Sequence, residues 1–161
     1  MGEERLGTSV KPVVAAPILS VGYNMLMTSE LIVWIIDSQH WPRAYLRAEL
    51  IERGFEAIGY THLSKAAAVL RLGSAVRPSA IVLELRDQYV EPRLLDELTG
   101  SGIPVILLKG ASEVNEPIVR AYSWAAVMRR PFTIGSVADK VQEIVDREKS
   151  SRADEHPGSP V

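Results

Sequence analysis

Five short apolar runs, separated by amphipathic stretches, dominate the middle of this 161-residue chain. An apolar run without polar alternation is typical of a strand that is covered on both faces. Strands that alternate with helices favour a parallel sheet between two layers of helices. The sequence therefore predicts one α/β domain, a three-layer sandwich around a central five-stranded parallel sheet. The predicted strands are 31–36, 55–61, 80–85, 104–108 and 124–128.

Proline and glycine residues mark the ends of the predicted helices. Pro42 and Pro92 suit the first position of the helices that follow the first and third strands. Gly54 and Gly100 come after these two helices and supply C-terminal stops. Ser64 is the predicted N-cap of the second helix.

The last helix has the most regular pattern, and a short fourth helix is predicted before it over 117–123. Six apolar residues recur at helical spacing between Ile134 and Val145, which places them on one face. Thr133 precedes them as the predicted N-cap. We expect this helix to dock firmly on the sheet.

The chain outside the five repeats has a different composition. Residues 1–30 are predicted to be a flexible N-terminal extension, and the folded domain is predicted over 31–148. Residues 149–161 are rich in Ser, Asp, Glu, Pro and Gly and are predicted to form a disordered tail.

Composition and charge exclude several classes of function. A net charge of -2 provides no basic surface for nucleic acid. The longest apolar stretch, 12–27, contains proline and glycine and is too interrupted to cross a membrane. The chain has no cysteine, and its three histidines lack metal-ligand spacing. We predict a cytoplasmic protein without a cofactor, a metal site, a nucleic-acid partner or a membrane partner.

Two strand ends resemble those of a known family. Asp37 and Ser38 follow the first strand and resemble the acidic pair that closes the first strand of response-regulator receiver domains. The run from Pro78 to Glu84 resembles the proline-led third strand of that family, which ends in the phosphoacceptor aspartate. Glu84 therefore occupies the position that resembles the phosphoacceptor.

The end of the fifth strand carries the third resemblance. Arg130, Pro131 and Phe132 resemble the family's lysine-proline-phenylalanine motif, with Arg130 in the lysine position and a cis peptide bond before Pro131. The order and spacing of the three motifs are similar to the CheY-like receiver domain as a whole. The resemblance implies a flavodoxin-like (βα)5 fold and a role in two-component signal transduction.

The departures from the family's pattern change the chemistry of the site. Ser38 stands where receivers carry a second acid that binds Mg²⁺, and a neutral hydroxyl is a poor ligand for this cation. Lys109 matches the family's threonine or serine after strand four, and Val127 matches its switch aromatic residue. Glu84 replaces the acceptor aspartate. Phosphoryl transfer needs a metal ion and a correctly placed carboxylate, and the resemblance implies that both are lost.

The charges suggest a replacement for the missing metal ion. We expect Lys109 and Arg130 to gather around Glu84 and Asp37, so that two bases balance two acids. A pair between Lys109 and Glu84 would draw the loop after strand four inward, as phosphorylation does in the family. Glu84 is then either a mimic of the phosphorylated acceptor or the remnant of an eroded site.

Three functions follow from these residues. The favoured one is a non-enzymatic pseudo-receiver that binds a protein partner without phosphorylation. The partner is another protein or a second copy of this chain, which would form a homodimer through the fifth strand and last helix. The alternative is a receiver that accepts phosphate on Glu84 or Asp37 in a phosphorelay. A flavodoxin-like small-molecule binder is disfavoured, because the residues after strand one contain no glycine or hydroxyl-rich loop to cradle phosphate.

Overall fold

The computed structural model describes residues 31–73, 77–86 and 90–155. These residues form one five-stranded sheet in the order β2-β1-β3-β4-β5, and every neighbouring pair of strands is parallel. The predicted α/β fold with a central parallel sheet is confirmed. The strands are β1 (Ile32–Ile36), β2 (Glu56–Tyr60), β3 (Ala80–Glu84), β4 (Val105–Lys109) and β5 (Ala126–Arg129).

Helices connect the strands and cover both faces of the sheet. A single 3-10 turn, Glu113–Asn115, precedes the fourth helix. None of the helices in the described part of the chain is both long and apolar enough to cross a lipid bilayer. The helices are α1 (His40–Glu52), α2 (Leu63–Arg71), α3 (Pro92–Thr99), α4 (Glu116–Ala121) and α5 (Ile134–Asp154).

Side chains alternate between the two faces of each strand, and this divides the core into two clusters. Val33 and Ile35 of β1 point to the face covered by α1 and α5. Trp34 and Ile36 of the same strand point to the opposite face, which α2 and α3 cover. Successive side chains of a strand always point to opposite faces, so each strand contributes to both clusters.

The starts of two helices differ from the sequence prediction. α1 begins at His40, so Pro42 lies inside the first turn. Backbone N–H groups in this turn have no acceptor within the helix, so the missing N–H of proline costs no hydrogen bond. α2 begins at Leu63, with His62 at the N-cap. Ser64 therefore lies within the helix, and its prediction as the N-cap was wrong because the buried Leu63 packs in the core as part of the helix.

The start of the predicted disordered tail was also wrong, because α5 continues to Asp154. Residues 149–154 are thus helical, although they were predicted to belong to the 149–161 tail. Lys, Arg, Glu and Ala favour helices, and no glycine or proline interrupts the chain between Gly135 and Pro157. The N-cap of α5 agrees with the prediction: Thr133 and Ser136 form a capping box.

One ion-paired arginine ties α1 to α5. Arg53, at the C-terminal end of α1, places its Nη1 atom 2.5 Å from Oδ1 of Asp139. Its Nη2 atom lies 2.8 Å from Oε1 of Glu49, one turn earlier in α1. The carbonyl of Gly135 accepts a further hydrogen bond at 3.3 Å. These contacts reinforce the apolar packing of the two helices on the same face of the sheet.

Leu50 tests the contribution of this packing, because its side chain is fully buried between α1 and the sheet. We expect Leu50→Ala to lower the free energy of unfolding by about 2–5 kcal/mol, from lost transfer energy and the cavity left behind. Leu72→Ala is the matched control, since Leu72 is 79% exposed, and it should change the value by less than about 0.5 kcal/mol. Urea denaturation of the three proteins makes the comparison. Equal effects of the two substitutions would contradict the assigned core.

Candidate functional site

Two carboxylates lie together at the carboxyl edge of the sheet. Asp37 follows β1, and Glu84 is the last residue of β3, the strand that pairs with β1. Continuing the alternation from Ile35 and Val82, both side chains belong to the face covered by α1 and α5. They are almost fully buried, with 5% of Asp37 and 2% of Glu84 exposed.

Two guanidinium groups contact the Glu84 carboxylate. Nη2 of Arg130 lies 2.6 Å from Oε2, and Nη2 of Arg86 lies 3.3 Å from the same oxygen. The backbone N–H of Arg86 donates a hydrogen bond to Oε1 at 3.0 Å. Both oxygens of Glu84 therefore accept hydrogen bonds, and its buried charge is compensated. A solvated strand cap does not describe this residue.

Arg86 is a residue that the sequence reasoning missed. Its Nη1 atom donates to Oε1 of Gln39 at 3.1 Å, and the backbone N–H of Gln39 donates to Oδ1 of Asp37 at 2.8 Å. Arg86 thus links the end of β3 to the loop after β1. A signal was present in the sequence, because a basic residue two positions after a buried acid can reach back to it across a turn.

The loop after β1 is held in place by a second arginine. Nη1 of Arg43 donates to the carbonyl of Asp37 at 2.6 Å and to the carbonyl of Gln39 at 3.2 Å. Ser38 lies between these residues and is half-buried. Arg43 belongs to the first turns of α1, so the helix itself fixes the position of Asp37 and Ser38, the residues that resemble the family's acidic pair.

Arg130 is positioned by the residues that follow it. The peptide bond between Arg130 and Pro131 is cis, as the resemblance implies. Phe132 places its ring 4.6 Å from the guanidinium carbon of Arg130, a cation–π contact. Arg130 is thereby held between an aromatic ring and the carboxylate of Glu84.

Lys109 does not approach Glu84, and the predicted pair between them was wrong. Its ammonium group instead forms a salt bridge with Glu116 at the start of α4. The reason is strand alternation: Lys109 follows Val105 and Leu107, whose side chains point to the face opposite Glu84. Lys109 is 3% exposed, so the predicted pocket cation is buried in a different cluster.

Glu116 is the centre of this second cluster. Arg129, the last residue of β5, donates to both of its oxygens, at 3.2 Å and 3.3 Å. Hydrogen bonds from Arg129 and then from Lys109 lower the pKa of Glu116 to about 2. The cluster ties the ends of β4 and β5 to α4 without any contribution from Glu84.

The sequence matches no known protein-family profile and no curated protein sequence. Solved structures are nevertheless similar in fold. A response regulator receiver domain protein from Clostridium thermocellum has a TM-score of 0.62 and 13% identity, covering 74% of this chain and 97% of that one. A response regulator receiver protein from Pseudomonas putida has a TM-score of 0.59 and 20% identity, covering 71% and 97%.

A chain described as adenylate cyclase from Rhodopirellula baltica has a TM-score of 0.64 and 12% identity, covering 77% of this chain and 93% of that one. At such identities the likeness concerns the fold. This protein therefore has the flavodoxin-like fold of response-regulator receiver domains, and Glu84 lies at the carboxyl end of its central strand.

A double-mutant cycle tests the separation of the two clusters. Glu84→Gln and Arg130→Met each remove the same buried charged hydrogen bond. The double variant should therefore lose less stability than the sum of the two single variants, with a coupling energy of about 1–3 kcal/mol in the free energy of unfolding. Combining Glu84→Gln with Lys109→Met is the matched control and should be additive within about 0.5 kcal/mol. A larger coupling with Lys109 than with Arg130 would contradict the geometry.

The lowered pKa of Glu116 predicts a pH dependence. A carboxylate whose pKa falls from 4.5 to about 2 on folding stabilises the protein above pH 4.5, and this contribution is lost as the pH falls toward 2. Glu116→Gln should therefore lower the free energy of unfolding at pH 7, with a smaller effect at pH 3. Chemical denaturation at both pH values measures this.

Glu52→Gln is the control for that experiment, since Glu52 is an exposed residue of α1. It should change stability little at either pH. An effect of Glu116→Gln that is the same at both pH values would show that the ionised carboxylate is not the stabilising species.

Proposed function

We propose that this protein is a cytoplasmic, atypical receiver that signals by binding another protein and does not require phosphorylation. The observation that carries the proposal is the state of Glu84. The residue in the acceptor position is buried and already paired with the guanidinium groups of Arg130 and Arg86. Its charge and its partners resemble an occupied signalling site rather than one awaiting a phosphoryl group.

The contacts of Glu84 oppose its use as a nucleophile. An attacking carboxylate needs an oxygen that can reach the phosphorus atom. In Glu84, Oε1 accepts a hydrogen bond from a backbone N–H, and Oε2 accepts hydrogen bonds from two guanidinium groups. Only 2% of the residue is exposed. Phosphorylation would have to break these bonds and open the site, and both changes raise the barrier to reaction.

The donor set also suits Mg²⁺ poorly. This cation prefers several oxygen ligands, including carboxylates and water, in octahedral geometry. Within the described residues, no three carboxylate or histidine side chains come together in a way that could hold a metal ion. Ser38 stands in place of the family's second acid, and two guanidinium groups contact the Glu84 carboxylate, so a divalent cation there would meet positive charge. No step of the proposed function depends on a metal.

The Lys109 cluster supports a fixed conformation in a different way from the one predicted. In the family, the residue after strand four responds to the phosphoryl group. Here that residue, Lys109, is paired with Glu116, which also accepts from Arg129, on the opposite face of the sheet from Glu84. The loop is therefore anchored by a permanent ion pair, and its position does not depend on the acceptor site.

An aromatic surface beside the site offers a contact for the partner. Trp41 and Tyr45 are 65% and 60% exposed, and their rings stack with centroids 6.0 Å apart. Both residues belong to the first half of α1, which begins at the edge of the sheet that carries Asp37. Exposed aromatic side chains are enriched at protein interfaces.

Incubation with acetyl phosphate and Mg²⁺, followed at once by intact-mass spectrometry, tests the phosphorylation-independent function. We expect no gain of a phosphoryl group, while an unrelated phosphorylatable receiver domain treated in parallel should gain one. Glu84→Gln and Asp37→Asn are the diagnostic variants. A gain in the wild type that either substitution abolishes would establish the alternative, a phosphoacceptor that uses Glu84 or Asp37.

A further inference from the structure

A cavity of about 190 Å³ lies between the sheet and the two helices α1 and α5. Its walls are mainly aliphatic, and Asp37, Glu84 and Arg130 line it where the strands end. Tyr45 of α1, which is 60% exposed, also lines it and contributes to its outer rim. The aliphatic wall includes Ile35, Leu46, Val82, Leu108, Ile134 and Val137.

The volume of the cavity limits the size of a ligand. Protein cores are packed with few voids larger than a water molecule. An apolar cavity of roughly 150 Å³ binds benzene, so this one has room for a single aromatic ring with one small substituent. Larger ring systems and nucleotides are too big for it.

The charges around the cavity limit the polarity of a ligand. The Glu84 carboxylate is paired with the guanidinium groups of Arg130 and Arg86. The guanidinium group of Arg43 contacts the backbone carbonyl of Asp37. An added ion would bring a further charge into a largely buried site that already pairs its charges. A hydroxyl group suits it, because it donates to a carboxylate and accepts from a guanidinium. Arg130, which lines the cavity, has a buried Nε–H without a hydrogen-bond partner among the described residues, so it can donate a bond to a ligand oxygen.

We propose that this cavity binds a small neutral aromatic molecule with one hydroxyl group, a compound of the phenol class. The ring lies among the aliphatic side chains, and the hydroxyl lies at the end lined by Asp37, Glu84 and Arg130. This inference goes beyond the proposed function, because it supplies the receiver with a chemical input at the site where the family uses a phosphoryl group.

Titration of the ¹⁵N-labelled protein with phenol, followed by ¹H–¹⁵N correlation spectra, tests the proposal. Phenol should shift the amide signals of residues around the cavity, such as Ile35, Val82 and Val137. Toluene has the same ring without the hydroxyl, and it should bind at least about tenfold more weakly, the effect expected for a hydrogen bond to a charged group. Benzoate should bind more weakly than phenol, because its charge would have to be buried at a site whose guanidinium groups are already paired with Glu84.

Filling the cavity gives the decisive comparison. Val82→Phe should abolish the phenol shifts, and Ile134→Phe should do so with less strain on the fold, because Ile134 is half-buried whereas Val82 is fully buried. Val114→Phe is the matched control, since Val114 is 82% exposed on the 3-10 turn, and it should bind phenol like the wild type. A native-like spectrum confirms that each variant is folded.

Three results would overturn the proposal: no shifts with phenol at millimolar concentration, shifts that persist in a folded cavity-filling variant, or shifts confined to another surface. Equal binding of phenol and toluene would overturn the assignment of the hydroxyl to the charged end. The titration uses no phosphodonor and no protein partner. Its failure would therefore leave the phosphorylation-independent function untouched, and a failure of that function would leave phenol binding intact.

Discussion

The alternation of side chains along parallel strands is the constraint on which the site depends. Five strands end at one edge of the sheet, and each places its last residues alternately on the two faces. Glu84 and Arg130 fall on the face of α1 and α5, whereas Lys109 and Arg129 fall on the other. Neighbouring basic residues of one motif thus serve different acids.

This separation creates two compensated clusters in place of one pocket. A buried charge is tolerated only when it is paired and hydrogen-bonded. Glu84 meets this requirement with Arg130 and Arg86, and Lys109 meets it with Glu116. Each cluster ties different segments together, the first the ends of β3 and β5, and the second the ends of β4 and β5 with the start of α4. In both clusters the acid is paired with basic side chains of the described residues.

The fold could be predicted almost completely because its signals are local and repeated. Apolar runs between amphipathic stretches indicate strands covered on both faces, and the pattern recurs five times. Helix ends were predicted less accurately. Core packing of Leu63 places the start of α2 before the predicted cap residue. The lack of a helix breaker lets α5 continue to Asp154, beyond the change in composition. Arg86 was missed because its hydrogen bonds to Glu84 depend on the backbone path after β3, which the apolar pattern does not specify.

The sequence by itself determined which charged residues reach the carboxyl edge of the sheet: Asp37, Glu84, Lys109 and Arg130 each follow or end a recognisable apolar run. Only the tertiary structure decided which of them meet. Charge counting alone favoured a single group of two acids and two bases. A shift of one residue along a strand moves a side chain to the opposite face, so Lys109 bound Glu116 and left Glu84 to Arg130 and Arg86. The cavity lined by Glu84 and Arg130 depends likewise on how α1 and α5 pack over the sheet, which no local pattern specifies.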